Sequence, residues 1–451
     1  MFNTIFRTVT VFLTLALAGC DRPVPVITNL EDASTARIGV MTGTTGEMLA
    51  HKRFPDADIK HFDDIVDAIG ALTAGQLDAV LTGYPAALQS TKRNSNLAVL
   101  EEPLSNEDTS IGIRKGNSEL LRKVDEILTE LKTNGTLDDM RRRWLKKDLS
   151  PYEQVDIPLP VTGIPLRIGV SATREPFTFV DGHGVITGHD GELARRIAQK
   201  LGRPVEFQNM RFAALIPALQ TEKIDIIITG MSATPERAKK IAFTQRYYEL
   251  HNVLLVRSEK HLAGGKASWS DRIRESFESN LIREKRYLML LEGLRTTALV
   301  TVLSALLGTL LGALVCFMRT SERLAAQYPA RAFIGLLRGT PALVVLMLIF
   351  YVAFASVNVS PVAASVLAFA LHFAAYSAEI FRAGLQAIDR GQAEAGLSLG
   401  FSRRQTFLHV ILPQLTRQVL PVYTGEFISL VKMTSVVGYV AVHDLTKAGD
   451  I

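Results

Sequence analysis

Four long apolar stretches, at 294–318, 332–355, 361–381 and 419–442, occupy the last third of this 451-residue chain. Such stretches are long enough to cross the hydrocarbon core of a bilayer. In lipid every backbone polar group must be satisfied within the element, so helices are what they must form. Charge divides the chain at the same place. Residues 294–451 hold 12 basic and 7 acidic side chains; subtracted from totals of 50 and 45, this leaves 38 of each in the first 293 residues. The whole net charge of +5 therefore sits in the apolar third, mostly as arginine between apolar runs. That arrangement suits loops beside a lipid bilayer, not a nucleic-acid surface. The rest, at about 150 residues per domain, has room for two soluble domains.

The N-terminus has one basic residue, Arg7, then an apolar stretch at 9–18 ending in Leu17-Ala18-Gly19-Cys20. The stretch is short for a spanning helix and ends in small residues, as a secretory signal does. The last four residues resemble a bacterial lipobox, which implies a signal peptide at 1–20 and a lipidated Cys20; an uncleaved anchor is the alternative. Arg319, Arg323 and Arg331 follow the first apolar stretch, and Arg382, Arg390, Arg403, Arg404 and Arg417 follow the third, whereas 356–360 is uncharged. The positive-inside rule puts those arginine loops in the cytoplasm and the front half outside a bacterial inner membrane. Export and loop charge give one topology.

The exported part reads as two α/β blocks, at 30–148 and 166–258, joined by a linker at 149–165 that holds Pro151, Pro158, Pro160 and Pro165. Each block opens on a short apolar strand, Ala36-Arg-Ile-Gly-Val-Met41 or Leu166-Arg-Ile-Gly-Val170, and continues with alternating helical and strand patterns. Two small parallel-sheet lobes are the expected architecture. A connector at 259–293 contains Trp269, Ile273, Phe277 and Leu281 at spacing four, one apolar stripe suited either to the membrane surface or to packing on the lobes.

Several motifs in these blocks resemble the polar amino-acid-binding proteins of bacterial ABC importers. Pro176-Phe-Thr-Phe179, Gly188-His-Asp-Gly-Glu-Leu-Ala194, Leu215-Ile-Pro-Ala-Leu219 and Gly230-Met-Ser-Ala-Thr-Pro-Glu-Arg237 match that family's first lobe. Gly43-Thr44-Thr45 and Lys132-Thr-Asn-Gly-Thr136 match its second. The order is inverted, so the resemblance implies a circularly permuted two-lobed domain, with decayed tandem copies or lobes paired between subunits as alternatives. It also implies ligand-binding roles for Thr44, Thr45, Phe212, Ser232 and Arg237. Arg237 offers a planar fork for a carboxylate, the hydroxyl residues add donors, and Phe212 offers an apolar face. A surface arginine and a plain core aromatic are the competing readings. Two acids usual in the family are replaced by Gly83 and Ser171, and Arg174, where a ring is usual, is expected to join the ligand-binding residues as a cation beside Arg237. A neutral or acidic polar amino acid, or a related carboxylate, is therefore expected over a cationic one, although the lost ammonium acceptor weakens the case for an α-amino acid.

The region after the third apolar stretch resembles the coupling loop of ABC-importer permeases. Glu394-Ala395-Gly396 is followed at family spacing by Gly400 and by Val410-Ile411-Leu412-Pro413, with Pro413 expected to stop the element. Arg338-Gly-Thr-Pro341, Tyr376-Ser-Ala-Glu-Ile-Phe-Arg382 and Phe427-Ile-Ser-Leu-Val-Lys-Met-Thr-Ser435 resemble the polar amino-acid branch. This implies an all-α permease of the type I class at 294–451, partnered by cytoplasmic ATPase subunits and by a second copy or a related permease. Glu379 and Lys432, ionisable groups in or near spans, are candidates for the translocation path or for an ion pair. That branch continues into a fifth span, which this sequence does not show. The chain has no G-x-x-x-x-G-K-[ST] loop, so any ATP is used by the partner subunit and no cofactor is expected here. Its nine histidines show no metal-ligand spacing. The expected function is the binding and membrane-spanning subunit of an importer; a membrane-anchored sensor that binds without transporting is the alternative, and an enzyme is disfavoured.

Overall fold

The computed structural model describes residues 27–145, 152–181, 184–258, 286–355, 357 and 359–449. Cys20 and the stripe from Trp269 to Leu281 lie outside the described residues. The chain forms two compact units, Met1–Glu107 with Leu250–Lys266, and Asp108–Glu249 with Ala267–Ile451.

In the first unit, β1 (Arg37–Met41) lies parallel to β2 (Asp58–Phe62) and β3 (Ala79–Gly83). The second half of β11 (Ala242–Arg257) runs antiparallel to β3, with Asn252 opposite Gly83. β3 is buried at every position, as a central strand covered on both faces must be. Ile38, Val40, Ala50, Phe54, Leu81, Leu254 and Val256 form the core. The helices Thr45–Arg53 and Ile65–Thr73 begin at side-chain caps from Thr44 and Asp64.

In the second unit, β5 (Leu166–Val170) lies parallel to β9 (Val205–Asn209) and β10 (Ile226–Ile227). The end of β4 (Leu97–Ile113) is antiparallel to β10. A small antiparallel sheet of β6 (Thr173–Arg174), β7 (Thr178–Val180) and β8 (Ile186–Thr187) stands beside it. The packing divides elsewhere than at the predicted linker. Helices Ser118–Thr133 and Thr136–Leu145, predicted with the first block, bury Val124, Leu128, Met140 and Trp144 in one core with Ile168, Leu193 and Ile197. Glu192 fixes this union: it accepts both terminal nitrogens of Arg143 (2.7 and 2.8 Å) and Trp144 Nε1 (2.7 Å).

Among the described residues, two helices, Tyr287–Thr320 and Pro361–Ala387, are long and apolar enough to cross a membrane. Leu324–Arg338 and Ala342–Ala353 make a third only as a pair bent by 108°. The predicted straight stretch at 332–355 is thus broken, because Pro341 has no N–H to give and displaces Thr340 from helical geometry. The fourth stretch begins earlier than its apolar pattern, as helix Leu412–Met433, and ends in the tight turn Thr434–Val440. Gly308 and Gly312 bring the two long helices together: a Cβ on either would come within 2.8 Å of Ala370 O or of Ser377 Cβ.

Candidate functional site

Four of the predicted ligand residues converge in the second unit. Thr234 accepts from Arg237 N and caps the short helix Pro235–Ala238, which sets the root of the Arg237 side chain. Arg237 is 7% exposed, and its Nη1 donates to Ser232 O at 2.8 Å. Its guanidinium carbon lies 5.2 Å from the Phe212 ring centre, and that of Arg174 lies 5.6 Å from the same ring. Two cations lie against one aromatic ring, a focus of positive potential suited to a carboxylate. Arg174 is followed by Glu175, whose carboxylate accepts from the Tyr152 hydroxyl at 3.0 Å. It donates to Thr229 O (2.8 Å) and Gly230 O (3.2 Å), so it braces the turn as well as charging it.

The turn is held from below. Gly230 has φ +62°, a conformation that favours glycine, and its N–H donates to Asp190 Oδ2 at 2.6 Å. The Tyr247 hydroxyl donates to the same carboxylate at 2.8 Å. Burial, reinforced by the Asp190 charge, pushes that hydroxyl well above an ordinary phenol, so it stays protonated as a donor. Ser232 pairs with Thr109 of β4.

In the first unit, the Thr44 hydroxyl donates to Met41 O (2.7 Å) and caps the following helix. The Thr45 hydroxyl donates to Glu107 (2.5 Å). Glu107 also accepts from Ser105 Oγ (3.0 Å) and Asn252 Nδ2 (2.6 Å). Sequence reading missed Glu107, because it lies on β4, 24 positions beyond Gly83. Only the ladder brings it in, through Asn252, which stands opposite Gly83. A carboxylate thus stands near the strand end where sequence comparison finds none. Gly83 itself has little room, since a Cβ there would lie 2.9 Å from Leu250 Cδ1. The structure also gathers ligand-type atoms of Glu47, His51 and His61 within 4.8 Å of one another, a grouping that linear spacing did not reveal.

In the membrane half, Asp389 caps helix Arg390–Ser398, which carries Glu394 and Ala395 exposed and Gly396 buried. A Cβ on Gly396 would meet the Thr406 side chain at 2.6 Å, so glycine permits this close approach. Gly400 turns the chain at φ +86°, and Ser402 with Gln405 caps the next helical turn, Arg403–Thr406. Pro413 does not stop the element. It lies in the first turn of Leu412–Met433, directly after the π-helical turn Phe407–Ile411, and the helical run continues through it. Leu397, Leu399 and Phe401 are exposed apolar groups on the same loop.

Glu379 lines a cavity of about 670 Å³ with Arg338, Tyr376, Arg382, Gln418 and Glu426. It accepts from Arg382 Nε and Nη2 at 2.9 and 2.6 Å. Lys432 is exposed and is not among the lining residues.

A two-lobed binding fold joined to apolar helices defines the class: a solute-binding domain fused to a membrane permease. Residues 166–395 match the family described as bacterial extracellular solute-binding proteins, family 3. The α/β part of that span ends at Arg257, and its described residues from 286 onward are mostly helical. The chain is 34% identical to the L-cystine transport system permease protein TcyB of Bacillus subtilis, over 37% of this chain and 72% of the relative. It is 37% identical to the glutamine transport system permease protein GlnP of Escherichia coli, over 36% of this chain and 75% of the relative. It is 33% identical to the arginine ABC transporter permease protein ArtQ of Haemophilus influenzae, over 35% and 75%. The chain belongs to the amino-acid ABC transporter permeases, here fused to a solute-binding domain.

Proposed function

We propose that this chain is receptor and membrane-spanning permease subunit in one, serving an ATP-driven importer of polar amino acids or related small carboxylates. The observation that carries the reading is the Arg174–Phe212–Arg237 cluster, on the same chain as a capped loop of coupling-helix form with exposed leucines. The two-lobed domain is a circular permutant that works within one chain on the outer face of the membrane. It occupies roughly 30–258 as two lobes, with the chain crossing between them in β4 and β11. Arg237 and Ser232 receive the ligand carboxylate beside the Phe212 ring. Cytoplasmic ATPase subunits seat against Glu394–Pro413, and a second permease subunit completes the path that Glu379 lines. ATP is hydrolysed by the partner, and the chain itself performs no chemical step.

The relatives' names run from cystine and glutamine to arginine, so kinship leaves the solute to the chemistry of the cleft. Arg174 and Arg237 on one ring favour a neutral or acidic side chain. One extra like charge at a few ångströms and an effective dielectric near 20 is worth on the order of kilocalories per mole, enough for about tenfold discrimination. Calorimetry on the purified chain with L-glutamate, L-glutamine and L-lysine tests this. Glutamate or glutamine should bind at least tenfold tighter than lysine, and Arg237→Ala should abolish binding. Tighter lysine binding would overturn the charge argument.

A further inference from the structure

Arg211 directly precedes Phe212, yet its contacts lead away from the ligand cluster. Its N–H donates to Gly438 O at 3.0 Å. Its guanidinium carbon lies 6.0 Å from the Tyr439 ring centre, and the side chain is 6% exposed. Gly438 leaves the approach open, since even a Cβ there would touch Arg211 Nε at 3.6 Å. Gly438 and Tyr439 belong to the tight turn Thr434–Val440, which continues helix Leu412–Met433 without a break. That helix starts at Leu412 and Pro413 of the coupling loop.

A second cation of the same lobe reaches a second membrane segment. Lys223 Nζ donates to Phe354 O and Val357 O and lies 5.1 Å from the Phe350 ring centre. It closes the C-terminal end of the helical segment 342–353, where free carbonyls and the helix dipole favour a cation. Burial, with the Arg167 charge adding to it, holds its basicity below that of a free lysine. The two membrane segments are bonded to each other: the Tyr351 hydroxyl donates to Tyr439 O at 2.6 Å.

We propose that Arg211 is the positioning residue through which ligand at Phe212 acts on the membrane helices, with Lys223 as the fixed clamp that keeps the lobe seated. This rests on the importer reading above. Two guanidinium groups lie against the Phe212 ring, and Arg211 is one peptide unit away. A carboxylate drawn onto Arg237 therefore shifts Phe212, and with it the Arg211 side chain where it packs on Gly438 and the Tyr439 ring. Packed helices and short hydrogen bonds transmit sub-ångström shifts because packed cores are bistable, not soft. Lys223 prevents the lobe from simply sliding with the shift.

The test uses the full chain in lipid nanodiscs, with L-glutamine and L-glutamate as probes. Hydrogen exchange is followed at 412–440 and affinity is measured by calorimetry. In the native protein, amino acid should change exchange at 434–440 by threefold or more. Arg211→Ala should bind within about threefold of native affinity and lose that change, and Arg211→Lys should restore it in part. Lys223→Met should speed exchange at 348–354 without abolishing binding. An undiminished response at 434–440 in Arg211→Ala overturns the proposal, as does a native response confined to the soluble lobe. Failure of every probed amino acid to bind the native chain instead sinks the importer reading, and the proposal with it. If Arg211→Ala does not fold, Gly438→Pro, which blocks the turn but leaves the lobe intact, should abolish the response in its place.

Discussion

Glu192→Gln removes the charge that holds helices Ser118–Thr133 and Thr136–Leu145 to the lobe built on β5. The native carboxylate is 3% exposed and accepts five hydrogen bonds, two each from Arg143 and Arg196 and one from Trp144. Burial alone would raise its pKa, but the bonds from Arg143, Trp144 and Arg196 outweigh that and hold it below the ordinary 4.5. Breaking one side of a buried ion pair costs about 3–5 kcal/mol. Glutamine turns an NH₂ toward donors, which argues for the upper end. Asp139 still holds Arg143 Nε at 2.7 Å, which argues for the lower. About 3 kcal/mol is the working figure, or on the order of 100-fold in a local opening constant. Hydrogen exchange on amides of 118–145 in the full chain reads it directly. Arg196→Met, which removes only a partly exposed partner, should change the same amides less than about fivefold. Because the folded pKa is depressed, this stabilisation is fully present above the ordinary carboxylate pKa. It is lost as pH falls through the lower folded value. Native exchange at these helices should therefore rise only in acid. An effect of Glu192→Gln below about fivefold at pH 7 would refute the claim that this ion pair closes the lobe.

Two further outcomes follow from backbone geometry. Gly312→Leu places side-chain atoms where Ser377 Cβ and Ala374 O already stand within 3.0 Å. It should lower stability by about 1–3 kcal/mol, seen as a reduced melting midpoint in detergent, whereas Gly335→Ala, with nothing within 4 Å, should not. Gly400→Val forces a β-branched residue to φ +86°, at a cost of about 1–2 kcal/mol. With partner ATPase present, ligand-stimulated hydrolysis should fall severalfold while calorimetric ligand binding is unchanged; equal loss of both would show that the loop is not a separate coupling element.

The sequence by itself determined what periodicity, composition and short-range chemistry control. Apolar length placed the membrane half, and the Ser402 and Thr234 caps, the Gly400 turn and the small residues at Gly308 and Gly312 are local matters that a chain writes directly. The residues of the cluster Arg174, Phe212, Ser232 and Arg237 were also legible, since each stands at a position of a recognisable motif. What only the tertiary structure decided is which segments share a core. Residues 118–145 follow the first block along the chain but pack with the second, because their apolar faces and Arg143 find partners around Glu192. Glu107 reaches the end of β3 through strand register, which no linear spacing encodes. The break at Pro341 was visible as a residue but not as a 108° bend, because a proline fixes where a helix fails while packing against neighbouring helices sets the angle. The contact of Arg211 with Gly438 joins residues 227 positions apart, and such long-range pairs are chosen by the whole packed shape.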